Sequence, residues 1–404
     1  MDLKFLLSQT TICDNIVAYL PQTRNLSLVC KDFRHLFYKT QRLKLKRNLH
    51  YKVCKFKKLK SLEFNLTKRV KKFCYQLGES HSSIQKLCIE VKSVVNFDFI
   101  KKFTNLTELY LYNNSTSFIP KLNYILDIKL LSKKLKILVY DFVFINGNYL
   151  INLENLEYLS LNQNHTLTEL KLPLSLKSFE FKKTCESFNF YSFNIFADLK
   201  KIKFLNISNF YGTLECISST NIECLILESC VITDFSRLSF LINLKEFYMK
   251  SCYDRNPMVK NIIFPENLEK ITLYSNNIHC IFMMQNIIFL KMLLINTLYN
   301  DKQQLYLPKY ILQMYVPKSN DYCFLNQLTC RDIIFPKKMK ITRKIISYLN
   351  TYSIESIECH IVAFNNLCIF PRLKYLILSS TSGMNKKHSF AYPENFRKLI
   401  YNNL

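Results

Sequence analysis

Glycine is nearly missing from this chain, with 4 in 404 residues. None of the four falls in a G-x-G-x-x-G or G-x-x-x-x-G-K pattern, so there is no backbone cradle for a nucleotide phosphate. Tryptophan is absent. No apolar run reaches the ~18 residues that a membrane helix needs. The nearest, residues 281–295, is broken by Gln285, Asn286 and Lys291. An apolar patch at Leu3, Phe5, Leu6 and Leu7 runs into polar residues with no small-residue cleavage site. No secretory signal is expected, which places the chain in the cytoplasm, with the nucleus as alternative. The 15 cysteines include no Cys-x-x-Cys pair. Scattered in this way, they read as reduced thiols and not as a disulfide framework. The 7 histidines are isolated and form no H-E-x-x-H. No catalytic residue, metal site or cofactor is expected.

Acidic residues are also scarce. Thirty Asp and Glu face 56 Lys and Arg, for a formal charge of +26. The excess is uneven: between Lys31 and Lys72 there are 16 basic residues and only Asp32 and Glu63 as acids, a net of +14. Such a block can dock nucleic acid, an anionic surface or an acidic protein. Adenine- and thymine-rich codons also yield a chain rich in Lys, Asn, Ile, Tyr and Phe. A solvated basic surface is therefore preferred over a dedicated nucleic-acid site.

What the chain does have is a repeat. The pattern apolar-x-x-apolar-x-apolar returns about every 19 to 29 residues. It reads Leu106, Leu109, Leu111, then Leu135, Leu138, Tyr140, then Leu156, Leu159, Leu161. It continues at Leu176, Phe179, Phe181, at Leu199, Ile202, Phe204, and at Ile222, Leu225, Leu227. Leu244, Phe247, Met249 and Leu268, Ile271, Leu273 follow. Weaker copies begin at Leu59, Ile84, Phe289, Ile311, Cys330, Ile354, Leu373 and Phe396. A fixed period of this length marks stacked repeats, each burying its apolar edge against its neighbours. Alternation in the Leu109-Tyr110-Leu111 triplet predicts a short strand with Tyr110 outward.

Three residues beyond the last apolar position stand Asn114, Asn164, Cys230, Cys252 and Asn276. This resembles the leucine-rich repeat, L-x-x-L-x-L-x-x-N/C. A buried Asn amide there can bond backbone groups left without ladder partners, and Cys fits the same small slot. Proline stands three residues before the first apolar position at Pro173, Pro265, Pro308 and Pro393, and Pro371 one residue closer. Its fixed φ and missing donor suit a strand entry but not a strand interior. Between strands, residues 98–103 and 234–241 read as helical turns and 261–264 as extended. The expected fold is α/β: a leucine-rich-repeat solenoid over 43–404, with a curved parallel sheet on its concave side and mixed short helices and irregular segments on the convex side.

The first 42 residues differ. Ile12, Ile16 and Leu20 form one apolar stripe, and Leu26, Val29, Cys30, Phe33, Leu36 and Phe37 form a second at helical spacing. Residues 16–21 (IVAYLP) followed by 25–36 (NLSLVCKDFRHL) resemble the F-box. Ser8-Gln9 stands where that family has Leu-Pro, Thr11 where it has an acid and Phe33 where it has Trp. The resemblance implies an F-box-like helical module over 1–42 that docks a Skp1-like adaptor through residues 8–40. The contacts implied are Ile16, Tyr19, Leu20, Pro21, Leu26, Val29, Cys30 and Phe33. Taken without the resemblance, so short a helical pair must pack on the solenoid or on a partner, and a simple cap for the first repeat remains an alternative.

The positions between and beside the strand leucines face outward on the sheet. They hold Tyr110, Tyr112, Tyr158, Tyr248, Tyr274, Tyr315 and Tyr375, with Ile137, Val139, Ile226, Leu293 and Ile377. Tyrosine offers area and a polar tip, which suits anchors for a protein target, although tyrosine also favours strands. The expected function is a non-enzymatic protein-interaction receptor. F-box plus repeat resembles the substrate-recognition subunit of an SCF-type (Skp1–cullin–F-box) ubiquitin ligase, with the concave face capturing the target. The alternatives are an interaction scaffold without that role and nucleic-acid binding through 31–72.

Overall fold

The computed structural model describes residues 42–45, 59–66, 82–91, 97–113, 125–141, 144–145, 147–162, 170–182, 196, 198–214, 217, 221–252, 261–274, 281–295, 305–316, 325, 328–335, 340–341, 343–359, 361–362, 367–378 and 391–401. They fall in two compact units, 1–185 and 186–404. The helical module expected over 1–42 lies outside the described residues except for its last position.

Among the described residues, the main sheet of the first unit carries seven parallel strands: Arg42–Leu45, Ser61–Leu66, Lys86–Val91, Glu108–Asn113, Ile137–Tyr140, Tyr158–Asn162 and Ser178–Lys182. Each pairs with the next. The main sheet of the second unit carries ten: Phe204–Ser208, Cys224–Glu228, Glu246–Lys250, Lys270–Tyr274, Phe289–Ile295, Tyr310–Tyr315, Cys330–Ile334, Ser356–Cys359, Tyr375–Leu378 and Lys398–Tyr401. These also pair consecutively and in parallel.

Parallel neighbours need a return leg between them. Here the return legs are short 3-10 helices, such as Asp98–Lys102 and Ser236–Phe240, or second rows of short parallel strands. One such row joins Asn261–Ile263, Ile281–Met283 and Leu305–Tyr306. The helical turns expected near 98 and 234 and the extended piece at 261 are all present, the helices in the tighter 3-10 form. Each unit is thus a parallel-sheet solenoid of the leucine-rich-repeat kind.

The leucine columns form the core. Leu62, Leu87, Leu109, Leu138, Leu159 and Phe179 align across the first unit and are fully buried. Leu225, Phe247, Ile271, Leu293, Met314, Ile333, Ile357 and Leu376 do the same in the second. Each such side chain contributes about 1.5–3 kcal/mol of burial.

Two copies sit in a different register from the expected one. The buried triplet is Ile202, Leu205, Ile207, so Phe204 faces outward, half-buried. Leu199 belongs to the preceding turn, where its carbonyl accepts the Ile202 amide at 3.2 Å. Likewise the strand over 289–295 buries Leu290, Leu293 and Ile295, leaving Phe289 46% exposed. Leu293 is therefore a core residue and not a member of the outward face. A slip of one residue exchanges the two faces of a strand.

The same turn explains the prolines. The Pro173, Pro265 and Pro393 carbonyls accept the amides of Leu176, Leu268 and Phe396 at 3.0–3.3 Å. Phe370 takes this place before Leu373, which is why Pro371 seemed displaced by one. These prolines open a tight turn before the strand.

After the strand the chain leaves the sheet through a left-handed residue in three consecutive repeats: Asn209, Ser229 and Ser251, with φ of 55°, 52° and 51°. Their amides donate to Glu228, Lys250 and Tyr274 carbonyls of the next strand at 2.7–2.9 Å. Serine bears a Cβ penalty in this region that glycine escapes. Ser229→Gly and Ser251→Gly are each expected to stabilise the second unit by about 1 kcal/mol, read from denaturant midpoints. Destabilisation by either would show that the serine side chains contribute more than the strain costs.

Candidate partner-binding face

Strand alternation puts every second side chain on the outward face, and parallel register lines these up in rows. In the first unit Tyr110 and Tyr112 lie on one strand with ring centroids 6.1 Å apart. Tyr158 lies two strands along, so these three expected residues are brought together on one face. Ser160, on the Tyr158 strand and in the same row as Tyr110 and Val139, forms part of the floor, 3% exposed. The Tyr158 hydroxyl interacts with Glu180 and Ser160, and burial first, then the Glu180 charge, pushes it above the ordinary phenol range. Lys86 closes one end. Its ammonium sits 4.6 Å from the Tyr110 ring centroid and 2.7 Å from Glu108, and Tyr110 donates to Glu108 at 3.2 Å. The Glu108 hydrogen bond raises the Lys86 pKa.

One row further along the strands, register sets Tyr112 and Asn162 on either side of Asp141, just beyond the Ile137–Tyr140 strand. Asn162 Nδ2 donates to Asp141 Oδ1. Burial raises the Asp141 carboxyl above its usual range, and the Asn162 bond and the Lys182 charge only partly offset this. Asn162 Oδ1 is buried and has no hydrogen-bond partner.

In the second unit Tyr248 and Tyr274 occupy adjacent strands on the outward face. Lys250 reaches to 5.9 Å from the Tyr274 ring centroid. Burial, then the Glu228 charge, raises the Tyr248 pKa. Asn206 Oδ1 and Ser208 Oγ, two strands from Tyr248 and its neighbour Lys250, are buried without partners. Tyr315 and Tyr375 also face outward, but each stands apart, beside Leu294 and Ile334 or beside Ser356 and Lys398.

Two scaffolding rows border these faces, and neither was among the expected features. Opposite charges alternate in one row, one residue before each strand except at Lys291, which lies inside the longer Phe289–Ile295 strand. Lys136, Glu157 and Lys177 do so in the first unit, with separations of 3.9 and 2.8 Å. Lys203, Glu223, Lys245, Glu269 and Lys291 do so in the second, where Lys203–Glu223 is 2.7 Å and Glu269–Lys291 2.7 Å. The lysines hold the Glu157, Glu223 and Glu269 carboxyls below their usual range, Lys177, Lys203 and Lys291 being the main cause in turn. Exposed pairs of this kind set register more than they add stability.

The second row is asparagine immediately before an apolar residue at the head of a copy or of the turn leading into it: Asn105, Asn155, Asn221, Asn243, Asn267, Asn286 and Asn395. Asn105, Asn155, Asn221, Asn267 and Asn395 each donate Nδ2 to a carbonyl of the preceding coil, at 2.7–3.3 Å. The recurrence of Asn before the leucine was the signal in the sequence.

The expected Cys at the end of the repeat is confirmed at two places. Cys230 Sγ donates to the Ile207 carbonyl at 3.3 Å and Cys252 Sγ to the Leu227 carbonyl at 3.4 Å, both fully buried. Asn114, Asn164 and Asn276 lie outside the described residues. Cys359 is core, and burial pushes its thiol up to about 12. Such a thiol carries almost no thiolate at neutral pH and is inert as a nucleophile. The adaptor residues Ile16, Tyr19, Leu20, Pro21, Leu26, Val29, Cys30 and Phe33 and most of the 31–72 block lie outside the described residues. Among the described residues no helix is long and apolar enough to cross a membrane.

No protein-family model matches the chain, and no curated protein matches it in sequence. Its fold is similar to solved structures at low identity. An internalin from Listeria monocytogenes aligns at 14% identity and TM-score 0.47, over 85% of this chain and 96% of that one. A leucine-rich-repeat protein of Leptospira interrogans aligns at 17% and 0.45, over 89% and 86%. TLR13, solved in a TLR13–ssRNA13 complex, aligns at 14% and 0.47, over 83% of this chain and 61% of that one.

Proposed function

We propose that this chain is a non-enzymatic receptor that captures a protein target on the outward face of its parallel sheet. The observation that carries the reading is the gathering of Tyr110, Tyr112 and Tyr158 on one face, and of Tyr248 and Tyr274 on another, with polar partners at their edges. Half-exposed aromatic rings on a rigid strand lattice offer contact area at low entropic cost. Among the described residues no group of three or more His, Cys, Asp and Glu is placed to hold a metal ion. In the fuller form of the proposal, residues 8–40 dock a Skp1-like adaptor, and the chain is the substrate-recognition subunit of an SCF-type ubiquitin ligase. That part rests on the sequence resemblance alone.

A two-armed capture experiment tests both parts. Tyr248→Ala with Tyr274→Ala is expected to weaken target capture about tenfold or more while adaptor co-purification persists. Leu20→Asp with Val29→Asp is expected to abolish Skp1 co-purification while target capture persists. Undiminished capture by the tyrosine pair would remove those residues from the target site. Skp1 absent from the wild-type complex would remove the ligase role and leave a scaffold.

A further inference from the structure

We propose that the outward face of the second unit takes an amphipathic α-helix of a partner protein, laid across the strands along the row from Ile226 to Ile334. This rests on the receptor reading above and names the shape and chemistry of what is received.

Register builds the row. Ile226, Tyr248, Thr272, Leu294, Tyr315 and Ile334 stand opposite one another on six neighbouring strands, all facing outward and all half-buried. No charged residue interrupts the run. Asn206 bounds it at one end and Glu358 at the other. Polar positions also border it lengthwise. Two residues earlier on their strands stand Glu246 and Lys270, bridged at 2.5 Å, and Asp332, bridged to Arg331 at 2.9 Å. Two residues later stand Glu228 and Lys250.

The occupant follows from what the row lacks. The strands spend their backbone N–H and C=O groups on one another, so the row offers a partner side chains only. A segment lying on it in extended form would bury its own backbone groups against aliphatic and aromatic surface without partners. A helix satisfies those groups internally. The dimensions agree. Six strands about 4.8 Å apart span about 24 Å, the length of about 16 helical residues. The bordering rows stand about 13 Å apart, and a helix with its side chains is about 10–12 Å across. One helical turn rises about 5.4 Å, so an apolar stripe meets nearly one strand per turn. The borders carry both signs of charge, which matches a helix with acids and bases mixed along its flanks and not a run of one sign.

The test uses the full chain and two labelled synthetic peptides of about 16 residues. Both have the same leucine, alanine, glutamate and lysine content and no net charge. In one, leucine recurs every third or fourth residue; in the other, leucines alternate as on a strand. Fluorescence anisotropy is expected to show binding of the first, with a gain in its helical circular dichroism, and binding of the second weaker by about tenfold or more. Leu294→Asp is expected to weaken binding of the helical peptide about tenfold or more, and Ile334→Asp to do the same from another strand. Thr272→Val, which fills the gap left by the hydroxyl residue in the run, is expected to tighten it severalfold, a gain that misfolding cannot imitate. Ile242→Asp, at an exposed turn outside the row, is expected to leave it unchanged. Binding should persist from about 0.15 M to about 1 M salt, although the screening length falls from about 8 Å to about 3 Å. The inference is overturned if the helical peptide does not bind, if the alternating peptide binds as well, or if 1 M salt abolishes binding. It is also overturned if Leu294→Asp and Ile334→Asp change nothing, or if Thr272→Val weakens binding. If the Tyr248 and Tyr274 pair loses target capture while the helical peptide does not bind the wild type, this inference falls and the receptor reading stands. If the pair keeps target capture while the helical peptide depends on Leu294, the helix site stands and the receptor reading loses its tyrosines.

Discussion

Phe264→Ala is expected to cost the second unit about 3–5 kcal/mol. Phe264 is fully buried at the head of a turn, and its ring lies 5.5 Å from that of Phe247 and 6.4 Å from that of Phe282. Those three aromatics belong to consecutive coils, so removing the middle ring opens a cavity shared by both of its neighbours. In a stacked repeat the nearest-neighbour interface is the unit of stability. The loss should therefore appear first as faster amide exchange in the coils on either side, and only then as a lowered global midpoint. Phe264→Leu should cost under about 1.5 kcal/mol, because the volume is largely kept. Ile242→Ala, at 67% exposed, should fall within about 0.5 kcal/mol of wild type. A Phe264→Ala loss no larger than that of Ile242→Ala would mean the aromatic run is not a core element.

Cys252→Leu is expected to cost about 2–4 kcal/mol, combining overpacking with loss of the thiol donor to Leu227 and Lys250 carbonyls. The site has no room, since Cys252 is fully buried, and Cys230 fills the equivalent slot one coil earlier. Cys252→Asn should cost less than Cys252→Leu, because an amide can donate to the same carbonyls and asparagine stands at this point of the repeat elsewhere. Equilibrium denaturation of the two variants gives the order. If leucine proved the milder change, the slot would be a hydrophobic one and the donor role would be wrong.

The strand lattice was legible from the spacing of leucines, because period-two alternation and a fixed coil length leave one arrangement that buries them all. It misled at Leu199 and Phe289 for the same reason. At Leu199 an apolar residue of the turn, three places before the first true position, satisfies the same spacing, and at Phe289 the triplet Phe289, Met292, Leu294 does so one place before the true one. Only alignment with neighbouring strands decides, and that alignment placed Leu293 in the core and Phe204 outside it. The tyrosine face was legible from alternation within single strands. The Asp141–Asn162 hydrogen bond was not, since Asp141 lies one residue past its strand and meets Asn162 only across coils. The positive φ at Ser229 and Ser251 carried no signal either, because serine is an ordinary loop residue and glycine would have been the usual mark.

The alternating row from Lys203 to Lys291 has an evolutionary corollary. Coils that match residue for residue could be gained or lost one at a time without disturbing the leucines. Excising the single coil that carries Glu223 would bring Lys203 against Lys245, like beside like. Excising that coil together with the next would bring Lys203 against Glu269, and the sequence of signs would survive. The row thus imposes a parity on growth: here the solenoid changes length most easily by even numbers of turns.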